Sequence, residues 1–175
     1  SFYTLTPAAV VRPKDTAEIK ALCAWSRSNS VPLTFRAAGT SLSGQAVGDG
    51  VIVDLSRHWR TLEILDGGAR VRVGPGVVGG IVNARLAAYS AKLGPDPASI
   101  NACMIGGIVA NNSSGMCCGI EHNAYRTLQS LRFVLPSGTE IDTAAPDAEE
   151  SLAATEPAVA AGLIELKSRI ESDPR

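Results

Sequence analysis

The sequence predicts an α+β protein of two lobes: a small βαβ-containing lobe over about residues 1–50, and a larger, mainly antiparallel sheet with flanking helices over about 51–143. Three observations carry this expectation. A short strand, an amphipathic helix and a second strand follow one another at the start of the chain. Two turn signatures, Asp66-Gly67-Gly68 and Pro136-Ser137-Gly138, each lie between short strand-like segments. Between them run long stretches of small residues with neither helical nor strand periodicity.

In the first lobe, Ala8 to Val11 reads as a strand closed by Arg12-Pro13. Asp15 and Glu18 have the spacing of a capping box, which satisfies free amide donors at a helix start. Ile19, Leu22, Cys23 and Ser26 share one face of the helix that follows, and Asn29 is its expected stop. Val31 to Arg36 then reads as the second strand of a βαβ unit, whose crossover is expected to be right-handed.

In the second lobe, Val51 to Leu55 reads as a strand. Thr61 to Leu65 and Ala69 to Val73 form a hairpin around Asp66-Gly67-Gly68, and Leu131 to Leu135 and Thr139 to Asp142 form another around Pro136-Ser137-Gly138. Val78, Ile81, Val82, Leu86 and Tyr89 have helical spacing. Residues 144–175 read as the start of a connection to a missing substrate domain. They hold one amphipathic helix (Val159, Leu163, Leu166, Ile170) that ends near Asp173-Pro174 and has no partner element in the chain.

Composition narrows the function. Apolar residues make up 45% of the 175, enough for a core, while aromatics are only 5% and glycines number 17. Few rings and many glycines suit tight turns and close backbone approach to something bound. A formal charge of −1 with no basic stripe argues against nucleic acid. No apolar run is long enough to span a membrane. No signal peptide is visible, and a start at Ser1 without an initiator methionine is consistent with removal of an upstream region. Cys23, Cys103, Cys117 and Cys118 do not resemble a disulfide framework, so a reducing, cytoplasmic setting is expected.

Two stretches carry the chemistry. Arg36-Ala37-Ala38-Gly39-Thr40-Ser41-Leu42-Ser43-Gly44-Gln45 follows a strand and is small throughout. Successive amides in such a turn form an anion-binding concavity, to which the hydroxyls of Thr40, Ser41 and Ser43 add donors. The second stretch runs from Gly94 through Pro95, Asp96, Pro97, Ala98 and Ser99, past Cys103, to Gly106, Gly107, Asn111, Asn112, Ser113 and Ser114. It is nearly uncharged, which suits either a flat ring packed against backbone or a tightly buried connection.

Other patterns carry less. Gly74-Pro75-Gly76-Val77-Val78-Gly79 matches G-x-G-x-x-G. Its preceding strand belongs to a hairpin, Pro75 removes an amide, and no acidic residue ends a second strand about 20 residues on, so a structural turn is expected. Cys118 and His122 are four apart, but Cys103 and His58 lack the spacing to complete a metal site, and none is expected. No nucleophile–base pair has a local signature, so the catalytic residues are unassigned.

Together the two stretches resemble the FAD-binding domain of the vanillyl-alcohol oxidase/p-cresol methylhydroxylase flavoprotein family. The resemblance runs from about Ala8 to Thr143, with Asn111-Asn112-Ser113-Ser114-Gly115 and Leu131 to Gly138 following in the family's order. Within the family it is most similar to the D-lactate/glycolate/D-2-hydroxyacid dehydrogenase branch. The run Ser114-Gly115-Met116-Cys117-Cys118-Gly119 resembles large members that also carry iron–sulfur modules, which places any such cluster in the parent protein and not in this chain.

The resemblance implies a two-lobed domain with FAD between the lobes. Arg36 to Gly44 would cradle the pyrophosphate, Pro95 to Gly107 would line the flavin side, and Asn111, Asn112, Ser113 and Ser114 would add polar contacts. Members that attach FAD covalently place a histidine directly after the loop glycine. Here that residue is Thr40, so non-covalent FAD is expected. The substrate in the parent would be a small 2-hydroxy acid, with electrons passed to iron–sulfur centres or a quinone; the acceptor itself is left open. The later Gly-x-x-Gly-apolar-apolar strand and the substrate domain with its His, Arg and acidic groups are absent, so the chain is expected to be an inactive fragment. The parent would be cytoplasmic or peripheral to a membrane. Two alternatives stay open: an FAD subunit of a multi-chain oxidoreductase, and a non-catalytic nucleotide-binding module.

Overall fold

Three segments far apart in the chain meet in one parallel sheet. Strands β1 (Ala9–Val11), β2 (Leu33–Arg36) and β3 (Val51–Asp54) pair in the order β1-β3-β2. Val10 and Thr34 both oppose Ile52, and Arg36 opposes Asp54. The computed structural model describes residues 3–173.

Helix α1 (Thr16–Asn29) links β1 to β2. Asp15 Oδ1 accepts from the Glu18 N–H at 2.9 Å, and Glu18 Oε2 accepts from the Lys14 N–H at 2.7 Å. The capping carboxylates are those expected, with Lys14 taking the reciprocal bond. The helix stops at Ser30, whose left-handed φ of 53° breaks the repeat. Ile19 and Cys23, one turn apart, are its buried residues.

Val51, Ile52 and Val53 are all buried. Alternate residues of a strand face opposite sides, so both faces of β3 are covered, as a central parallel strand requires. The expectation that this strand opens the second lobe is thereby corrected. A continuous apolar run needs cover on both sides, and the place between β1 and β2 supplies it.

The hairpin β4 (Leu62–Leu65) and β5 (Arg70–Val73) packs with α2 (Gly79–Leu86), α3 (Ile105–Ala110) and α4 (Ala124–Thr127). Val77, Val82, Leu86, Ile105, Ile108 and Ala124 form the core, with Leu62, Ile64, Val71 and Val73 of the hairpin against it. Helices α3 and α4 lie where sequence periodicity suggests only loop. Two glycines in six residues give α3 poor intrinsic propensity, and burial of Ile105 and Ile108 overrides it.

Contacts divide the chain into two units, the first ending at Leu128 and the second beginning at Gln129. The second unit holds the hairpin β6 (Arg132–Val134) and β7 (Glu140–Asp142), then α5 (Ala148–Thr155) and α6 (Pro157–Glu171). The α+β class holds, but the antiparallel part is two separate hairpins, not one larger sheet. The last helix does have a partner, since α5 packs along α6. Helix α5 is short and alanine-rich, and such a stretch shows little apolar periodicity even where alanine and glutamate favour helix. Pro174, expected near the end of α6, lies outside the described residues. Among the described residues no helix is long and apolar enough to cross a membrane.

Candidate functional site

Parallel sheets present their functional surface at the carboxyl ends of their strands. Here those ends carry Arg12 just beyond β1, Arg36 at the end of β2, and Asp54 at the end of β3. All three line one cavity of about 550 Å³, within the usual size range of small-molecule sites. Val10 and Ile52 form its floor. Leu5 and Pro7 close one side, and Ala37 and Ala38 begin the loop that continues β2. Ala102 and Met104, from the second small-residue stretch, complete the lining. Both stretches singled out in the sequence thus reach a single cavity. Strand periodicity puts every second residue of β1 and β3 on this face.

The chemistry of the lining is divided. Leu5, Pro7, Val10, Ile52 and Met104 are apolar, whereas Arg12, Arg36, Asp54 and Ser56 are polar. Arg12 Nε donates to Asp54 Oδ2 at 2.8 Å, and the Ser56 N–H donates to Asp54 Oδ1 at 2.9 Å. Burial pushes the Asp54 pKa up, but hydrogen bonds from Ser56 and Arg12 outweigh it and hold the carboxyl below its ordinary value of 3.8.

Backbone amides separate the two glycine-rich loops. Among the described residues, no backbone N–H from Ala37 to Gln45 donates to another protein group. Gly39 and Gly44 have φ of +69° and +87°, the left-handed region that glycine tolerates best. A Cβ on Gly39 would stand 2.7 Å from Nη2 of Arg36, so the guanidinium lies directly on this loop. The result is a run of unspent donors with a cation beside it. Ser41 Oγ donates to Gln45 Oε1 within the loop, and Thr40 is exposed.

The G-x-G-x-x-G turn is the reverse. Its Gly74 N–H goes to Thr61 O at 2.9 Å, Gly76 to Trp59 O at 2.8 Å and Gly79 to Cys103 O at 3.0 Å. With its three glycine amides spent on the protein, the turn lacks the clustered donors a phosphate needs.

The second stretch is more structural than its composition suggests. The Cys103 N–H donates to Ser99 O at 2.7 Å and the Gly106 N–H to Pro75 O at 2.9 Å. Cys103 belongs to the core, and Pro95 is buried. Asn112 Oδ1 accepts from the Tyr125 N–H at 2.9 Å, and Asn111 Oδ1 accepts from Ser113 Oγ at 2.6 Å. Gly115 passes so close to the Asp96 carbonyl that no side chain fits there. Asp96, Pro97, Ala98, Ser99 and Ser114 are partly or fully exposed, and Gly107 faces open space. None of the residues in this paragraph is among those lining the cavity. Among the described residues no group of three or more metal-ligating side chains gathers.

Residues 7–144 match the family described as "FAD binding domain". The chain belongs to that FAD-binding family. The matched span coincides to within a residue with the resemblance in the sequence. Among curated proteins, this FAD-binding chain is 35% identical over 147 residues to D-2-hydroxyglutarate dehydrogenase of Escherichia coli (strain K12), covering 82% of the chain and 14% of that protein. It is 38% identical over 120 residues to the glycolate oxidase subunit GlcD of the same organism, covering 67% of the chain and 24% of that protein. The chain therefore spans less than a quarter of the length of either relative, both of which fall in the hydroxyacid branch. In fold it is similar to 6-hydroxy-D-nicotine oxidase from Arthrobacter nicotinovorans, with a TM-score of 0.69 at 20% identity over 84% of the chain and 33% of that structure.

The lining suits part of a dinucleotide; of the first stretch it includes Arg36, Ala37 and Ala38, and Gly39 to Gln45 continue the loop beyond it. A pyrophosphate needs clustered N–H donors and a cation, a chemistry that the Ala37 and Ala38 amides and the Arg36 guanidinium in the lining could serve. A flat heterocycle needs an apolar wall, which Leu5, Pro7, Val10 and Met104 offer.

Proposed function

We propose that this chain is the FAD-binding part of an oxidoreductase that acts on a D-2-hydroxy acid, with FAD held non-covalently. The observation that carries it is the unspent run of amides from Ala37 to Gln45 beside the Arg36 guanidinium. These groups, with Thr40 and Ser41, bind the pyrophosphate. Pro95 to Ser99, Cys103, Gly106 and Gly107 shape the flavin side, and Asn111, Asn112, Ser113 and Ser114 give polar contacts there. Thr40 has no imidazole with which to form a covalent link.

When bound, FAD supplies the acceptor for a hydride equivalent from the substrate. The chain's own residues bind it, orient it and exclude water from its apolar parts. The substrate class is supported by the relatives, one named a D-2-hydroxyglutarate dehydrogenase and the other a glycolate oxidase subunit. Electrons pass on to iron–sulfur centres or a quinone carried outside this chain. Four free thiols support a reducing, cytoplasmic compartment.

The test is to purify the chain with excess FAD and record flavin absorbance after gel filtration. Retained flavin that is released intact on denaturation supports non-covalent binding. Absence of flavin at any added concentration overturns the proposal. D-lactate, glycolate and D-2-hydroxyglutarate are expected to show no turnover with the chain alone. A second reading, an FAD subunit working with separate catalytic chains, is favoured by the word "subunit" in the name of the GlcD relative.

A further inference from the structure

The cavity rim includes a segment most of which precedes the family match, which begins at residue 7. Residues 3–7 precede β1. Their downstream end is fixed where the Ala8 N–H donates to the carbonyls of Asp49 and Gly50, at 3.0 and 2.8 Å. Leu5 and Pro7 line the cavity itself. Further upstream the Tyr3 ring lies on Gly44: a Cβ there would stand 2.8 Å from Cδ2 and 3.3 Å from Cε2 of Tyr3.

The contact falls on a loop that needs one. The N–H groups from Ala37 to Gln45 make no hydrogen bonds to the protein among the described residues; the loop is braced by the Ser41–Gln45 side-chain bond, by the Val47 N–H donating to Gly44 O at 3.2 Å, and by packing of the Tyr3 ring. Gly44 sits at φ +87°, a conformation that costs other residues energy and that a packed ring can keep in place. Leu5, 52% exposed, lines the cavity, and Tyr3, 61% exposed, lies on the loop that continues from its Ala37–Ala38 wall.

We propose that residues 3–7 are a strap belonging to the dinucleotide site, with Tyr3 as a positioning residue that holds the Gly39–Gln45 amides in their anion-binding arrangement. The inference rests on the FAD reading of the cavity. Its mechanism is preorganisation: a loop ordered before binding loses less entropy when the pyrophosphate arrives.

The full chain is compared with Tyr3→Ala and Tyr3→Phe by two measurements, backbone 15N order parameters without FAD and the FAD dissociation constant from flavin fluorescence. Tyr3→Ala is expected to lower the order parameters of residues 39–45 and to weaken FAD about tenfold through the lost preorganisation. Tyr3→Phe keeps the ring and restores both. The melting temperature of Tyr3→Ala stays that of the unaltered chain, because the side chain is exposed. Unchanged order parameters in Tyr3→Ala overturn the proposal, as do lowered ones with unchanged FAD affinity. If the unaltered chain binds no FAD, the FAD reading fails by itself and the order parameters alone decide whether Tyr3 holds the loop.

Discussion

Arg12 and Asp54 join hands across the carboxyl ends of β1 and β3, Nε to Oδ2 at 2.8 Å, with Asp54 also bound by Ser56. The pair sits in the wall of the cavity, so it ties sheet stability to the shape of the site. Burial raises the Asp54 pKa, and the bonds from Ser56 and Arg12 more than reverse this, leaving it below 3.8. A carboxyl depressed on folding stabilises the native state fully above its unfolded pKa, and the contribution is lost as pH falls through the folded value. Urea unfolding should therefore show a loss of stability below about pH 4, the ordinary carboxylate range. In Asp54→Asn that part of the pH dependence should vanish, and the loss at neutral pH should be about 1 kcal/mol, because Arg12 is largely exposed.

Gly39→Ala tests the loop. At φ +69° an alanine costs about 1 kcal/mol, and its methyl group also displaces the Arg36 guanidinium. Gly67→Ala is the control, with φ +62° but open space around the new methyl. Both should lower the melting temperature by similar amounts. Only Gly39→Ala should weaken FAD in a fluorescence titration.

Arg36→Met removes the cation and keeps much of the stem. FAD affinity should fall about tenfold, or about 1.4 kcal/mol, the range expected for a charge-assisted contact to a phosphate. The binding constant should also become less sensitive to salt. Titrations at two ionic strengths separate this outcome from simple loss of fold.

Gly115→Ala tests a crossing of two chains. Its methyl group would collide with the Asp96 carbonyl, backbone that cannot turn aside. Overpacking of this kind should cost about 1–3 kcal/mol in urea unfolding. The far-ultraviolet circular dichroism of the folded state should be unchanged.

Local signals in the sequence identify their elements, and long-range pairings leave no such mark. The Asp15 and Glu18 cap, the two hairpins and the helix after Val78 all follow from residues within a few positions of one another. The loop from Arg36 to Gln45 is recognisable because its small and hydroxyl residues are consecutive. The position of β3 is not, because a parallel strand carries no mark of its partners. Arg12 and Asp54 are hidden as cavity residues for the same reason: one follows β1 and the other ends β3, and only the pairing of both strands brings them to the same sheet edge as Arg36. In the second stretch, composition misled in part. Neutral small residues serve close packing as well as ligand contact, and Asn112 is engaged with the Tyr125 amide.

The strand order β1-β3-β2 has a consequence for biosynthesis. β1 and β2 never pair with each other, so a nascent chain that has released only its first strand, helix and second strand has no sheet to form. Both edges stay unsatisfied until Val51–Asp54 leaves the ribosome and slots between them. During that interval the emerging polypeptide is most open to capture by a chaperone or to misassociation with another nascent strand.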